Sequence, residues 1–467
     1  MARIIVCSLS NVTWTKERYI DSFVEGFIKS LERAGNQILN IRVNDFSRAG
    51  VSFVHEDQVA DDVKLFNPEL IITFNNVFPF EGFVDLFDCP IACFASDSLA
   101  FFSNKEAMKK NADRYYFFNF SNDTISAFPK WFPFVRPDRI FFFGQATDLR
   151  AVPLEQDIDI SFVGSIANWN RDFVDHFRLL PHTPGYQMNP TAAYENETKA
   201  KFFEALDKFK AHPFDKFSYS IPDFKPTVGS IETAAILLLT CQQRFNTLSA
   251  VSDLGLKVFS YPQAFIDVLT YNPDLFRCFD FETSVSMAHA TRNFNRSKIS
   301  MNLPHAHAAE GFSWRVCDIL ASNATLLSCR QPDLAKITKG FVDLPMYETP
   351  AEARELAKKL LADPVWRKEL AEGSQQMIEA GCRFEHKLPL MQAAIPKLSL
   401  VAAKPEDREA GSVQYLDERK SLRKIRHWAY ESVRQVRIRK GTARFAKKGR
   451  VFPFLKKAML QIFLWLT

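Results

Sequence analysis

Glycine is scarce in this chain, 16 residues in 467, and none of it forms a G-x-G-x-x-G turn. The first strand-to-helix loop, Ser8 to Trp14, contains no glycine at all, which disfavours NAD or FAD held on a dinucleotide fingerprint. Walker-type, G-x-S-x-G and H-E-x-x-H patterns are missing too, so P-loop, α/β-hydrolase and zincin chemistry have no signature here. The eight cysteines are scattered. Only Cys89 and Cys93 lie close together, and no second pair or histidine cluster completes a zinc set. They read as buried, reduced thiols. No apolar run reaches bilayer-spanning length and no signal peptide opens the chain, so a cytoplasmic protein is expected.

What is present is a long, apolar, unevenly charged chain. At 467 residues it exceeds one ordinary core, so two domains and an appendage are expected. An apolar content of 47% with 24% charged residues is that of a globular protein. Phenylalanine is abundant, at 45 residues, and without organising spacing it reads as core filling with some exposed aromatic surface. The overall charge of +5 divides unequally: Arg419 to Thr467 holds fifteen Lys and Arg against one acid, leaving −9 on the residues before it.

Short apolar runs alternate with helical spacing through residues 1–150: Arg3–Cys7, Gln37–Val43, Glu69–Phe74, Pro90–Phe94 and Arg114–Phe118 read as strands. Between the first two, Tyr19 to Arg33 has helical periodicity and Gly35 supplies its stop. The segment 147–158 reads as a hinge. Strands at Asp159–Val163, Lys257–Tyr261, Ile299–Asn302 and Thr325–Ser328 then restart the pattern across 157–400. A helical insertion is expected at about 195–250, with closing helices at 350–361 and 364–380. This alternation implies α/β architecture with parallel sheets covered on both faces. Residues 401–467 read as a polar linker and a basic tail.

Acid, hydroxyl and guanidinium groups converge in sequence at 298–328. Glu310 lies on a loop after the strand ending at Asn302, Ser313 can cap the next helix, and Arg315 and Asp318 follow on it. Free helix N–H groups and Arg315 suit a diphosphate, and the acids suit sugar or ribose hydroxyls, as a nucleotide-sugar would require. The plainer alternative makes Ser313 a simple cap and Asp318 an exposed helix position. Gly164 and Ser165 end a strand ahead of Arg171, which fits a second phosphate contact or an ordinary turn. His305 shares the 298–328 loop and suits a sugar or phosphate contact, whereas His307 reads as solvated. Asp97 follows a buried strand and either faces substrate or caps the turn after it. In the tail, Lys456, Lys457 and Trp465 suit a helix on an anionic membrane surface, with packing on the protein or a partner as the alternative. Nucleic acid is not expected, since no recognisable module is present.

The stretches Asp159–Ser165, Ser297–Leu303, Gly311-Phe312-Ser313-Trp314-Arg315-Val316-Cys317-Asp318 and Ala324–Leu327 together resemble the CgeB-like and group 1-like glycosyltransferases of GT-B fold. That resemblance implies two Rossmann-like domains facing a cleft, with the nucleotide-sugar donor on the second and the acceptor on the first. Its paired acids, with seven residues between them, fall on Glu310 and Asp318. Asp318 replaces the longer Glu usual in the retaining group, and Asn323 stands where Gly is common. The expected function is sugar transfer from a nucleoside-diphosphate donor to a glycan or lipid-linked acceptor in cell-envelope synthesis, retaining and without a metal or separate cofactor. The alternatives are a GT-B relative with epimerase or polyol-phosphate transferase chemistry, or a non-catalytic scaffold binding membrane or glycan. On the main reading Glu310, Asp97 and His305 serve catalysis. Gly164, Ser165, Arg171, Asn302, Gly311, Phe312, Ser313, Arg315 and Asp318 hold the donor.

Overall fold

Four of the first-domain strands are buried and largely apolar on both faces, over residues 4–8, 70–74, 91–95 and 115–119, the pattern that a parallel sheet covered by helices on two sides requires. The computed structural model describes residues 1–12, 18–43, 56–80, 82–166, 204, 231–260, 272–280, 286–308, 310–401 and 410–417. Its first sheet is built from β1 (Arg3–Val12), β2 (Arg18–Ile20), β3 (Gln37–Val43), β4 (Leu70–Phe74), β5 (Ile91–Ala95), β6 (Tyr115–Asn119) and β7 (Ile140–Phe142), with a late addition, β14 (Ser412–Asp417). The order is β14-β3-β1-β4-β5-β6-β7, all parallel, with β2 antiparallel on β1.

Helix α1 (Ser22–Arg33) starts later than its periodicity predicts because residues 18–20 pair with β1 and the Asp21 carboxylate then accepts from the Phe23 N–H at 3.0 Å. Gly35 takes the left-handed conformation expected of the stop, at φ 93°. Helices α2 (Glu56–Phe66), α3 (Lys105–Lys110) and α4 (Asn122–Trp131) complete this domain. Phenylalanine fills its core: Phe23, Phe27, Phe94 and Phe143 are buried and in ring contact along one chain of neighbours.

The second sheet runs β10 (Phe279–Asp280), β9 (Leu256–Phe259), β8 (Ile158–Val163), β11 (Ser297–Asn302), β12 (Thr325–Cys329), β13 (Met346–Tyr347), again parallel. Its described helices are α5 (Ile231–Val251), α6 (Pro273–Arg277), α7 (Met287–Arg296), α8 (Trp314–Leu320), α9 (Pro332–Thr338), α10 (Pro350–Ala362) and α11 (Pro364–Gly381). The remainder of the expected 195–250 insertion, Arg171 and the basic tail lie outside the described residues, apart from Glu204. All eight cysteines are free; six are buried, and Cys89 does not pair with Cys93.

The chain crosses between domains twice, and the crossings touch. Thr147 bridges Arg383, the Thr147 N–H donates to the Cys382 carbonyl at 3.0 Å, and Arg383 donates back to the Thr147 and Leu149 carbonyls. The domain limit at 400 read from sequence does not follow the packing. Helix α12 (Phe384–Ala394) turns back at this crossing, and Phe384, Leu388, Met391, Ile395 and Leu400 pack in the first-domain core. Part of the expected linker then becomes β14, pairing residues 412–417 with β3. The result is two Rossmann-like domains facing a cleft, the GT-B arrangement. No helix among the described residues is long and apolar enough to cross a membrane.

Candidate functional site

The second sheet reverses its strand order between β8 and β11, and such a switch point opens a crevice at the carboxyl ends of the strands. One buried side chain spans that point. Arg244, on α5, donates to the Ser165 carbonyl beyond β8 at 2.7 Å and to the Leu303 carbonyl beyond β11 at 2.9 Å. It is 3% exposed and has no carboxylate partner among the described residues. Burial, with the nearby Arg315 charge, pulls its guanidinium down to about 9. A cation buried beside another cation is costly unless an anion joins them. Sequence reading passed over Arg244; the signal was a lone arginine inside the apolar helical run Ile236 to Leu248.

Arg315 rises from the first turn of α8 toward the same crevice. Among the described residues it makes no hydrogen bond or ion pair, though its charge is felt by Asp21, Asp318 and Arg244. Gly164 lies beside it: at φ 153° a Cβ there would press on the Phe162 ring at 3.1 Å and meet Arg315 Nη1 only in ordinary contact at 3.7 Å. The expected phosphate contact by the Gly164 amide is not made available, because that N–H donates to the Phe259 carbonyl at 3.0 Å and extends the β8–β9 ladder.

His305 and His307 stand beside the two arginines, rings 5.6 Å apart. Each residue is half-buried, and among the described residues each Nδ1 is buried without a partner. Burial first, then the Arg244 charge, holds both below the usual imidazole range, His307 at about 4. They are therefore neutral near pH 7 and able to donate or accept. His307, expected to be solvated, lines the cleft with His305. Among the described residues no third ligand joins them into a metal set.

Facing this wall, the first domain offers Asp97 at the end of β5. Asn75, in left-handed conformation after β4 at φ 50°, accepts from the Ser96 and Asp97 N–H groups and donates to Asp97 Oδ2 at 2.7 Å. The other Asp97 oxygen is left unbonded among the described residues. Burial raises the Asp97 carboxyl above its ordinary range against that hydrogen bond. Asp97, Ser121 and Gln145 meet His305, Phe312 and Arg315 around a cavity of about 160 Å³. Gln145 donates to the Phe312 carbonyl at 2.6 Å across the cleft.

The remaining expected residues serve the walls. Asn302 donates to Ser328 Oγ and to Gln331 Oε1, each at 2.9 Å, fixing the loop rather than a ligand. Ser313 occupies the cap position with extended backbone, but its hydroxyl makes no cap bond and reaches instead to Asn302 Oδ1 at 3.5 Å. The Gly311 carbonyl accepts from Gln331, and a Cβ on Gly311 would lie 2.6 Å from Ser121 Cβ in the other domain. Glu310 faces Asp123 of α4, and Asp123 is pushed up to about 7 by burial and by Glu310.

Asp318 is neither exposed nor open to the cavity. It is 2% exposed, accepting from Ser22 at 2.7 Å and from Thr147 at 2.5 Å. Desolvation raises it to about 6 even so. Glu310 and Asp318 thus do not converge on one point.

Residues 250–393 match the family described as Glycosyl transferase-like. No curated protein matches the chain. Among solved structures, sucrose-phosphate synthase from Thermosynechococcus elongatus is similar at 10% identity and TM-score 0.48, over 84% of this chain and 97% of that one. T4 phage BGT, solved with UDP and Mn2+, aligns at 13% identity and TM-score 0.45 over 84% and 99%. WaaG, a glycosyltransferase involved in lipopolysaccharide biosynthesis, aligns at 10% identity and TM-score 0.43 over 85% and 100%. The family match runs from the end of α5 into α12 and takes in His305, Glu310, Arg315 and Asp318, so the second domain carries a glycosyl transferase-like segment along its side of the cleft.

Proposed function

We propose that the protein transfers a sugar from a nucleoside-diphosphate-sugar to an acceptor bound against its first domain. The observation that carries this is the Arg244–Arg315 pair at the switch point, two neighbouring cations that no carboxylate among the described residues pairs with. A departing diphosphate is the anion whose charge grows during sugar transfer, and preorganised cations in a crevice stabilise that growth. Neutral His305 and His307 add donors without adding charge. Asp97, with one oxygen free and its carboxyl raised, suits taking the acceptor hydroxyl's proton.

Retention of anomeric configuration belongs to this reading through the family resemblance alone, since Glu310 and Asp318 face different partners. The product's anomeric coupling, measured by NMR, decides it. The acceptor class rests on charge: a +14 tail after a −9 body suits a polymer or lipid carrier at an anionic membrane surface. The tail lies outside the described residues.

The test is thermal stabilisation by a panel of UDP-, GDP-, dTDP-, ADP- and CMP-sugars. A ligand at a hundredfold excess over its dissociation constant adds about 2.7 kcal/mol to the folded state. One nucleotide should shift the wild type and lose most of that shift in Arg315→Ala and Arg244→Met. The absence of a shift with every sugar nucleotide would leave the scaffold alternative standing.

A further inference from the structure

The acid that the family resemblance assigns to the donor's ribose is occupied by the other domain. Asp318 Oδ2 accepts from Ser22, the first residue of α1, and Oδ1 accepts from Thr147 in the first crossing. Thr147 in turn accepts from the Leu149 N–H at 2.9 Å and is tied to Arg383 and Cys382 in the second crossing. One carboxylate therefore joins a second-domain helix to a first-domain helix and to the pair of hinge strands.

The cavity supports the same assignment. Its second-domain lining ends at Arg315, and Asp318 lies about one helical turn further along α8, 2% exposed. Reaching a ribose in the cavity from there would mean leaving both hydroxyl partners. The neighbours of Asp318 repeat the pattern of one domain gripping the other. Trp314 donates to Asp21 and lies 5.1 Å from the Phe23 ring, while the Met287 N–H donates to Glu25 at 3.0 Å. All the first-domain members of these contacts belong to α1 or its cap.

We infer that Asp318 is a positioning residue that fastens the two domains together through Ser22 and Thr147, and not a ligand of the donor's ribose. The inference rests on the sugar-transfer reading only for the word donor; the fastening follows from the contacts themselves. Its shorter side chain fits the role. A Glu at 318 would carry its carboxylate one methylene further and could not keep both hydroxyl bonds in this buried space.

The test uses the full chain with Asp318→Asn, Asp318→Glu, Ser22→Ala and Thr147→Val. Nucleoside diphosphates (UDP, GDP, ADP, dTDP, CDP) are titrated by calorimetry, and domain separation is followed by small-angle scattering. Hydrogen bonds to a carboxylate are strong enough that losing them should shift the closed-to-open equilibrium about tenfold or more. All four variants should scatter as more open than the wild type, with nucleotide dissociation constants within about threefold of it. Asp318→Glu should resemble Asp318→Asn and not the wild type. The inference fails if Asp318→Asn weakens nucleotide binding tenfold or more, Asp318→Glu restores it, and Ser22→Ala and Thr147→Val scatter as the wild type does. If the wild type binds none of these nucleotides, the donor reading falls, and the scattering arm still decides whether Asp318 fastens the domains.

Discussion

The two walls of the cleft handle their charge in opposite ways. On the second-domain wall, Arg315 bears its charge on Arg244 and, among the described residues, no carboxylate pairs with either, while the buried Nδ1 atoms of the neighbouring histidines have no partner there. On the first-domain wall, the acid is held: Asn75 donates to the Asp97 carboxylate and its Oδ1 accepts from the Ser96 and Asp97 N–H groups, and it pays for this with a left-handed backbone at a buried position. Unsatisfied groups in a folded interior await a ligand, whereas a strained residue that orients a single carboxylate prepares a group to act. On the proposed sugar-transfer reading, the first wall serves chemistry and the second binding.

The sharpest way to break that distinction is Asp97→Asn. The amide keeps the side chain's shape and can still pair with Asn75, but it cannot take a proton. Turnover should fall by about 10²–10⁴, the usual contribution of a general base, while calorimetry finds nucleotide affinity unchanged. A variant that loses affinity along with turnover would place Asp97 in the binding machinery and erase the difference between the walls.

A smaller effect should come from where the walls meet. Gly311→Ala puts a methyl group into Ser121 Cβ, 2.6 Å away, and neither atom belongs to a flexible side-chain end. The domains must part or the loop must shift, a change costing about 1–3 kcal/mol in tightly packed protein. The double variant Gly311→Ala with Ser121→Gly should recover most of the lost melting temperature. Failure of that rescue would mean that the loop, not the approach of the walls, sets the requirement for glycine.

The strands and helices of this fold were largely readable because each carries its own period. β1, β3, β4, β5 and β6 appear within a few residues of their apolar runs, as do α10 and α11. Short edge elements such as β7, β10 and β13 have too few residues for a period and were not read. The return of residues 384–417 to the first domain could not be read either, because Phe384 is apolar wherever it packs and only the tertiary arrangement selects the core. The site divides the same way. Local order placed Asp97 after a strand and Arg315 in a first helical turn. Contacts between residues far apart in the chain, such as Ser22 with Asp318 or Arg244 near Arg315, leave no trace in spacing.

The smallest effect tests the mouth of the cleft, where the two walls both present acid. Asp123 of α4 stands against Glu310 of the opposite loop, with Asp333 nearby and itself paired to Lys336 at 2.9 Å. Burial, then Glu310, raises the Asp123 carboxyl to about 7 in the folded protein, above the unfolded value of about 3.9. The folded state therefore binds more protons than the unfolded one between those values. Stability from this group is fully present below about pH 4 and is lost as pH rises through about 7. Asp97 and Asp318 are raised as well and tilt the wild-type profile the same way, so the comparison must be with a variant. Asp123→Asn keeps a hydrogen-bonding partner for Glu310 without a titrating proton. Its melting temperature should exceed that of the wild type by a growing margin from pH 5 to pH 8. Parallel profiles would mean that the Asp123 carboxyl is not raised, and that the mouth of the cleft stays wet enough for it to ionise in the ordinary range.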